Sequence, residues 1–195
     1  MTEIGLIRHG VTDWNVLKKI QGKSDIPLNG EGRRQAKQLA ERLRREQWDA
    51  VVTSDLVRAK ETAEIVAQAL GIPVASEDAR LRERSFGAAE GTTEEERLAR
   101  WGEKWRENPD IGIESVDALL ARALPCLDDL AEAYAGRRIL AVTHGGWIVH
   151  VLTALFPDLE FGWIGNTSVS VIRRTADGWK PVDINRMDHL EGETE

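Results

Sequence analysis

Long hydrophobic runs are missing from this chain, and so is almost all cysteine. Among its 195 residues the one cysteine, Cys126, excludes a disulfide framework and a cysteine-based metal cage. The apolar runs fall far short of the ~20 residues needed to cross a bilayer. No basic stretch followed by an apolar one stands at the N-terminus, where Met1 leads straight into an alternating strand pattern, so a cytoplasmic protein is expected. An excess of positive charge is lacking too. The 26 Lys+Arg against 33 Asp+Glu give a net −7, which leaves no global basic field for nucleic acid or a membrane surface. Any anion that binds must be drawn by a local cluster of arginines. Repeats and low-complexity tracts are absent, and nothing signals a number of subunits. What remains is 42% hydrophobic and 30% charged, enough for a sizeable core. Against a prior of ~150 residues per domain, the chain reads as one domain over 1–195.

Its periodicity switches repeatedly between short apolar runs and helical stripes, the α/β signature. A first strand is expected at Glu3–Arg8, then a turn-rich loop through Asn29–Gly30 and a helix striped by Ala36, Leu39, Ala40 and Leu43. A buried strand follows at Asp49–Thr53. Ser54 or Asp55 can cap the next helix, which carries Ala59, Thr62, Ala63, Val66 and Leu70 and ends at Gly71. Pro73–Ser76 reads as a short strand. Residues 77–114 are polar and irregular apart from a helical stretch at Thr93–Glu107, which puts Leu98, Trp101 and Trp105 on one stripe. Ser115–Tyr134 is helical, with Pro125 expected to kink or split it. Arg138–Thr143 is a third strong strand, His144–Phe156 a helix, and Asp177–Gly178 the turn of a hairpin joining Ser168–Arg174 to Trp179–Ile184. Antiparallel strands beside parallel ones imply a mixed sheet.

Two stretches share one plan: an apolar strand, then histidine, then glycine. They are Ile4–Gly10 and Ile139–Gly146, ending in Arg8-His9-Gly10 and Thr143-His144-Gly145-Gly146. Residues just past strand C-termini line the crevice of an open α/β sheet. Glycine after each histidine lets backbone approach a ligand. Arg58 follows the strand ending in Thr53 by about one helical turn, so Arg8, His9, Arg58 and His144 can converge at one sheet edge. These residue types suit phosphate: arginine presents a permanently charged fork of donors, and helix starts after Ser54 and His144 add N–H groups. A neutral imidazole is a competent nucleophile toward phosphorus. The second histidine can donate to a phosphoryl oxygen, and a carboxylic acid must protonate the departing alkoxide.

The sequence resembles the histidine phosphatase superfamily, the phosphoglycerate-mutase-like proteins, across nearly its whole length. The resemblance is carried by Arg8-His9-Gly10 with Thr12, Asn15 and Gln21-Gly22, and by Leu28–Gly32 with Gln35-Ala36. Ser54, Leu56, Arg58-Ala59 and Thr62-Ala63 add to it, as do Leu81-Arg82-Glu83 with Phe86-Gly87 and Glu90-Gly91, and Thr143–Gly146. It implies a three-layer α/β sandwich with a mostly parallel mixed sheet, helices on both faces, and a small helical insertion over the site at roughly 77–114. It also implies roles: His9 as nucleophile, Arg8, Arg58 and His144 as the phosphoryl cradle, and Glu83 as proton donor and later base for water. Asn15, Gln21, Gly22 and Gly145 would line the phosphate pocket, with neither metal nor cofactor. Where many members carry Glu, this chain has Val11, and Gly112-Ile113-Glu114-Ser115 stands for a Gly-Gly-Glu-Ser pattern.

Plainer readings apply elsewhere. Glu77, Glu90 and Glu94–Glu96 are rivals of Glu83, and spacing to Phe86-Gly87 selects Glu83. His150 reads as structural, His189 as edge packing, Cys126 as core, and Thr12 with Asp13 as turn residues. Trp101 and Trp105 fall in the roofing insertion, so one of them is expected to border the substrate's organic part. The expected activity is metal-independent hydrolysis of a small phosphorylated metabolite through phosphohistidine, at a mildly acidic to neutral optimum. A phosphoglycerate mutase and a non-catalytic phospho-ligand binder are the alternatives. The short stretch between Glu83 and Ser115 disfavours the mutase, and the complete residue set disfavours the binder. Substrate candidates run from broad-specificity use to α-ribazole phosphate, sugar bisphosphates and phosphoserine.

Overall fold

Side chains alternating along one central strand decide the layering. The structure, a computed structural model, describes residues 1–190, so the last five residues of the expected 1–195 domain lie outside it. On β4 (Arg138–Thr143), Ile139 and Ala141 pack into one apolar cluster while Leu140 and Val142 pack into another. A strand buried on both faces must be covered on both faces. Helices α5 (Val116–Ala133) and α6 (Gly145–Leu155) cover one side through Leu119, Leu127, Trp147 and Val151. Helices α2 (Gly30–Leu43) and α3 (Val57–Leu70) cover the other through Leu39, Leu43, Ala63 and Val66. The result is an α/β fold of three layers, as expected.

The sheet has six strands in the order β3-β2-β4-β1-β5-β6. β1 (Thr2–Arg8), β2 (Ala50–Thr53), β3 (Val74–Glu77) and β4 run parallel. β5 (Val169–Thr175) and β6 (Gly178–Arg186) form an antiparallel hairpin beside β1. The register fixes the site: Arg8 pairs with Thr143 and Thr53 with Val142, so His9, Ser54 and His144 leave neighbouring strands at one level. No helix among the described residues is long and apolar enough to cross a membrane.

Two expectations fail in the irregular part. The helix expected at Thr93–Glu107 is α4 (Glu94–Trp101) alone, stopped by Gly102 at φ +73°. Trp105 lies in a separate 3₁₀ turn, so the two tryptophans do not share a helical face. Pro125 does not split α5, whose 18 residues run unbroken through it. Its missing N–H costs one hydrogen bond, which the buried face of Leu119, Ala123, Cys126, Leu127 and Leu130 outweighs.

The first turn of α2 is wedged against the loop after β1, and a Cβ on Gly32 would run into the Val11 carbonyl. Gly32→Ala is expected to lower stability by about 1–3 kcal/mol, read as a lower urea midpoint at unchanged slope.

Candidate functional site

Each predicted side chain is placed by a strand end, a helix start or a turn. His9 and Arg8 close β1, Arg58 sits in the first turn of α3, and His144 is the N-cap of α6. Arg8, His9, Asn15, Gln21, Gly22, Arg58, Glu83 and Gly145 line one cavity of about 380 Å³. His144 stands behind it, its ring centroid 5.2 Å from that of His9. All eight cavity residues and His144 are therefore gathered at one sheet edge.

The histidine tautomer follows from its partners. His9 Nδ1 lies 2.7 Å from the Gly10 carbonyl, which can only accept, so Nδ1 carries the hydrogen. Nε2 keeps its lone pair and accepts from Arg58 Nε at 3.2 Å. Burial, then the Arg58 and Arg8 charges, hold the His9 pKa well below 6.5, and His144 is depressed by burial, Arg58 and His9. Both imidazoles are neutral at ordinary pH. Burial also lowers the Arg8 and Arg58 guanidinium pKa values to about 10, which leaves both charged at neutral pH. Arg8 Nε and His144 Nδ1 are buried without hydrogen-bond partners, at a cost of about 1–3 kcal/mol each.

Glu83 is the carboxylate in the cavity lining. Its oxygens accept from the backbone N–H groups of Arg84, Gly146 and Trp147, all at 2.9 Å. The α6 N-terminus therefore points at Glu83, whereas the sequence reading aimed it at phosphate. The α3 N-terminus is occupied as well: Val57 N–H donates to Asp25, and Leu56 rather than Ser54 is the N-cap. In both places a nearby carboxylate satisfies the free N–H groups first. Glycines after His144 admit these side chains. A Cβ on Gly146 would stand 2.7 Å from Glu83 Oε1, and one on Gly145 3.1 Å from Arg8 Nε.

Arg122, on α5, fixes the backbone under Glu83. Its guanidinium donates to the carbonyls of Arg80, Arg82 and Glu83 at 2.7–3.1 Å and pairs with Glu114. The rival acids have other partners. Glu77 pairs with Lys60, and Glu96 closes the capping box of α4. Glu90 collects Lys23 N–H, the Ser24 N–H and hydroxyl, and Phe86 N–H, tying the Gln21–Ser24 turn to Phe86. Arg58 holds the same turn through the Gly22 and Ser24 carbonyls, both at 2.7 Å.

Thr12 does more than shape a turn. It caps α1 (Asp13–Val16); its hydroxyl donates to the Gln21 amide oxygen at 2.8 Å, and its backbone N–H donates to the Asn15 amide oxygen at 3.0 Å. Trp101 and Trp105 do not line the cavity, contrary to expectation. Trp105 is buried with Ala89 and Ile111, with the Arg97 and Arg106 guanidiniums 5.0 and 4.3 Å from its ring centroid. The aromatic residues of the wall are Phe86 and Trp163, joined by Lys19, Ile20, Val149 and Ile164. Sequence reasoning missed these; Trp163, between Gly162 and Gly165 in a loop, was the available signal. His150 is half-buried, His189 bonds to the Thr167 hydroxyl, and the buried Cys126 thiol is pushed up to about 12. All three match their plainer readings.

Glu90→Ala is expected to cost about 1.5–3 kcal/mol of stability and to raise KM more than it lowers kcat. Thermal melts and steady-state kinetics check both.

A family model described as histidine phosphatase superfamily (branch 1) matches residues 4–187. The chain is 38% identical to an uncharacterised phosphatase, PhoE, of Bacillus subtilis, over 98% of both chains. It is 42% identical to a probable phosphoglycerate mutase, GpmB, of Klebsiella pneumoniae, over 98% of this chain and 96% of that one. Among solved structures, Bacillus stearothermophilus YhfR superposes with a TM-score of 0.89 at 30% identity, over 98% of this chain and all of the other.

Proposed function

The chain belongs to the histidine phosphatase superfamily, and from that premise we propose that it hydrolyses small phosphate monoesters through a phosphohistidine on His9, without a metal ion. One observation carries the proposal. His9 is held as the Nδ1–H tautomer with its Nε2 lone pair among two buried guanidiniums and a carboxyl group. Nε2 attacks phosphorus, and the ester oxygen leaves with the proton of Glu83. Arg58 Nε, released from the imidazole as the lone pair turns to phosphorus, passes to a phosphoryl oxygen. Arg8 Nε and His144 Nδ1, unpaired in the free protein, gain phosphoryl partners. The NH₂ groups of Asn15 and Gln21, whose oxygens are turned to Thr12, add donors. Water then gives a proton to the Glu83 carboxylate as its oxygen attacks phosphorus, and the N–P bond breaks to restore His9. Charge neutralisation and positioning are what phosphoryl transfer demands, and the chain's own cations supply them.

A mutase runs the same first half but returns the phosphoryl group to a second hydroxyl and keeps water out. Trp163, at the mouth of this cavity, is 74% exposed, which supports access of water and hence hydrolysis.

Turnover of p-nitrophenyl phosphate is expected to persist in EDTA and to fall on the order of 10⁴-fold in His9→Ala. Turnover that needs a divalent metal, or phosphoglycerate isomerisation without phosphate release, overturns the proposal. The pH dependence carries a sign. A His9 pKa depressed below 6.5 leaves the nucleophile neutral above that lowered value, so acidification from about pH 7.5 to about 5.5 should not switch off kcat/KM. A loss of activity with a midpoint near the ordinary histidine value of ~6.5 would contradict this.

A further inference from the structure

The cavity lining mixes two chemistries: Arg8, His9, Asn15, Gln21, Arg58 and Glu83 are polar, while Ile20, Phe86, Val149, Trp163 and Ile164 are apolar or aromatic. Lys19 adds a further cation to the lining. We infer that Trp163 is a specificity-determining residue, a shelf on which the leaving group of the ester stacks. The preferred substrates are then phosphate esters whose alcohol bears a flat apolar group. This rests on the phosphatase reading and names its substrate class.

The indole is held in place at a cost. A tryptophan that is 74% exposed leaves apolar area in water, yet its backbone is fixed from two sides. Asn185 Nδ2 donates to the Trp163 carbonyl at 2.7 Å, and its Oδ1 accepts from Gly165 N–H at 3.2 Å. Asn185 sits at φ +55°, a conformation asparagine adopts more readily than most residues. From the other side, Arg8 donates to the Ile164 carbonyl at 2.7 Å, and its guanidinium lies 4.7 Å from the Trp163 ring centroid. The indole ring therefore adjoins the phosphate-side arginine. A phosphoryl group held near Arg8 and His9 leaves its ester substituent in a lining that includes Trp163, Phe86 and Val149.

Binding of phosphonates, which cannot be hydrolysed, tests this by calorimetry. The wild-type chain is expected to bind benzylphosphonate more tightly than methylphosphonate. Trp163→Ala should cut the benzyl-to-methyl affinity ratio about tenfold, and Trp163→Phe should restore most of it. Equal losses for both phosphonates would reduce Trp163 to a support for Arg8 and overturn the inference. So would a wild-type preference for phosphonoacetate, whose carboxylate would pair with Lys19. Benzyl phosphate and ethyl phosphate, with leaving alcohols of comparable basicity, complete the test kinetically. Benzyl-selective binding without hydrolysis of either ester condemns the hydrolase reading and keeps the shelf; hydrolysis of both without benzyl selectivity does the reverse.

Discussion

Two guanidinium groups buried beside two imidazoles allow only one charge state for the rings. Protonating His9 or His144 would add a third positive charge to a dry, already positive corner, which burial and the arginine charges oppose. The rest of the site follows from that. A neutral His9 with Nδ1 spoken for by Gly10 has a single lone pair, and the arginines that depress its basicity stand where negative oxygens would gather. The corner is thereby preorganised for an anion and strained without one, as the unpaired Arg8 Nε and His144 Nδ1 record.

Topology delivers these groups with little help from loops. Because β1 and β4 are adjacent and parallel, residues far apart in sequence emerge side by side, and the Arg8–Thr143 register makes His9 and His144 neighbours. Ser54, one strand further, meets His144 Nε2 at 2.9 Å. Arg58 then reaches back across α3 to close the group. Loops supply much of the apolar lining: Ile20, Phe86 and Trp163 each come from a segment between regular elements. The imidazoles and guanidiniums thus sit on regular elements or directly at their ends, while Glu83 and most of the apolar lining sit on connections.

Strand ends were legible in the sequence because apolar alternation followed by His-Gly is a local pattern, and so Arg8, His9 and His144 could be read without coordinates. Arg58 needed only the rise of one helical turn. Glu83 was chosen over its rivals by the spacing to Phe86-Gly87, and the backbone N–H groups of α6 explain physically why it is held there. The tryptophans were misread because Gly102 ends α4 before the second of them, and a single left-handed glycine outweighs the stripe on which the helix was drawn. Trp163 was missed because a loop has no periodicity from which a facing direction can be read. The helix starts were misassigned for another reason: Asp25 and Glu83 reach them from distant segments, which spacing cannot show.

The grip of Arg122 on the carbonyls of Arg80, Arg82 and Glu83 ties Glu83 to a helix with no residue in the cavity. Glu83 takes its coordinates from α5, while His9 takes its own from the sheet. The spacing of carboxylate and imidazole is thus a measure of how α5 docks, and under the proposed roles the far surface of that helix becomes a remote handle on catalysis.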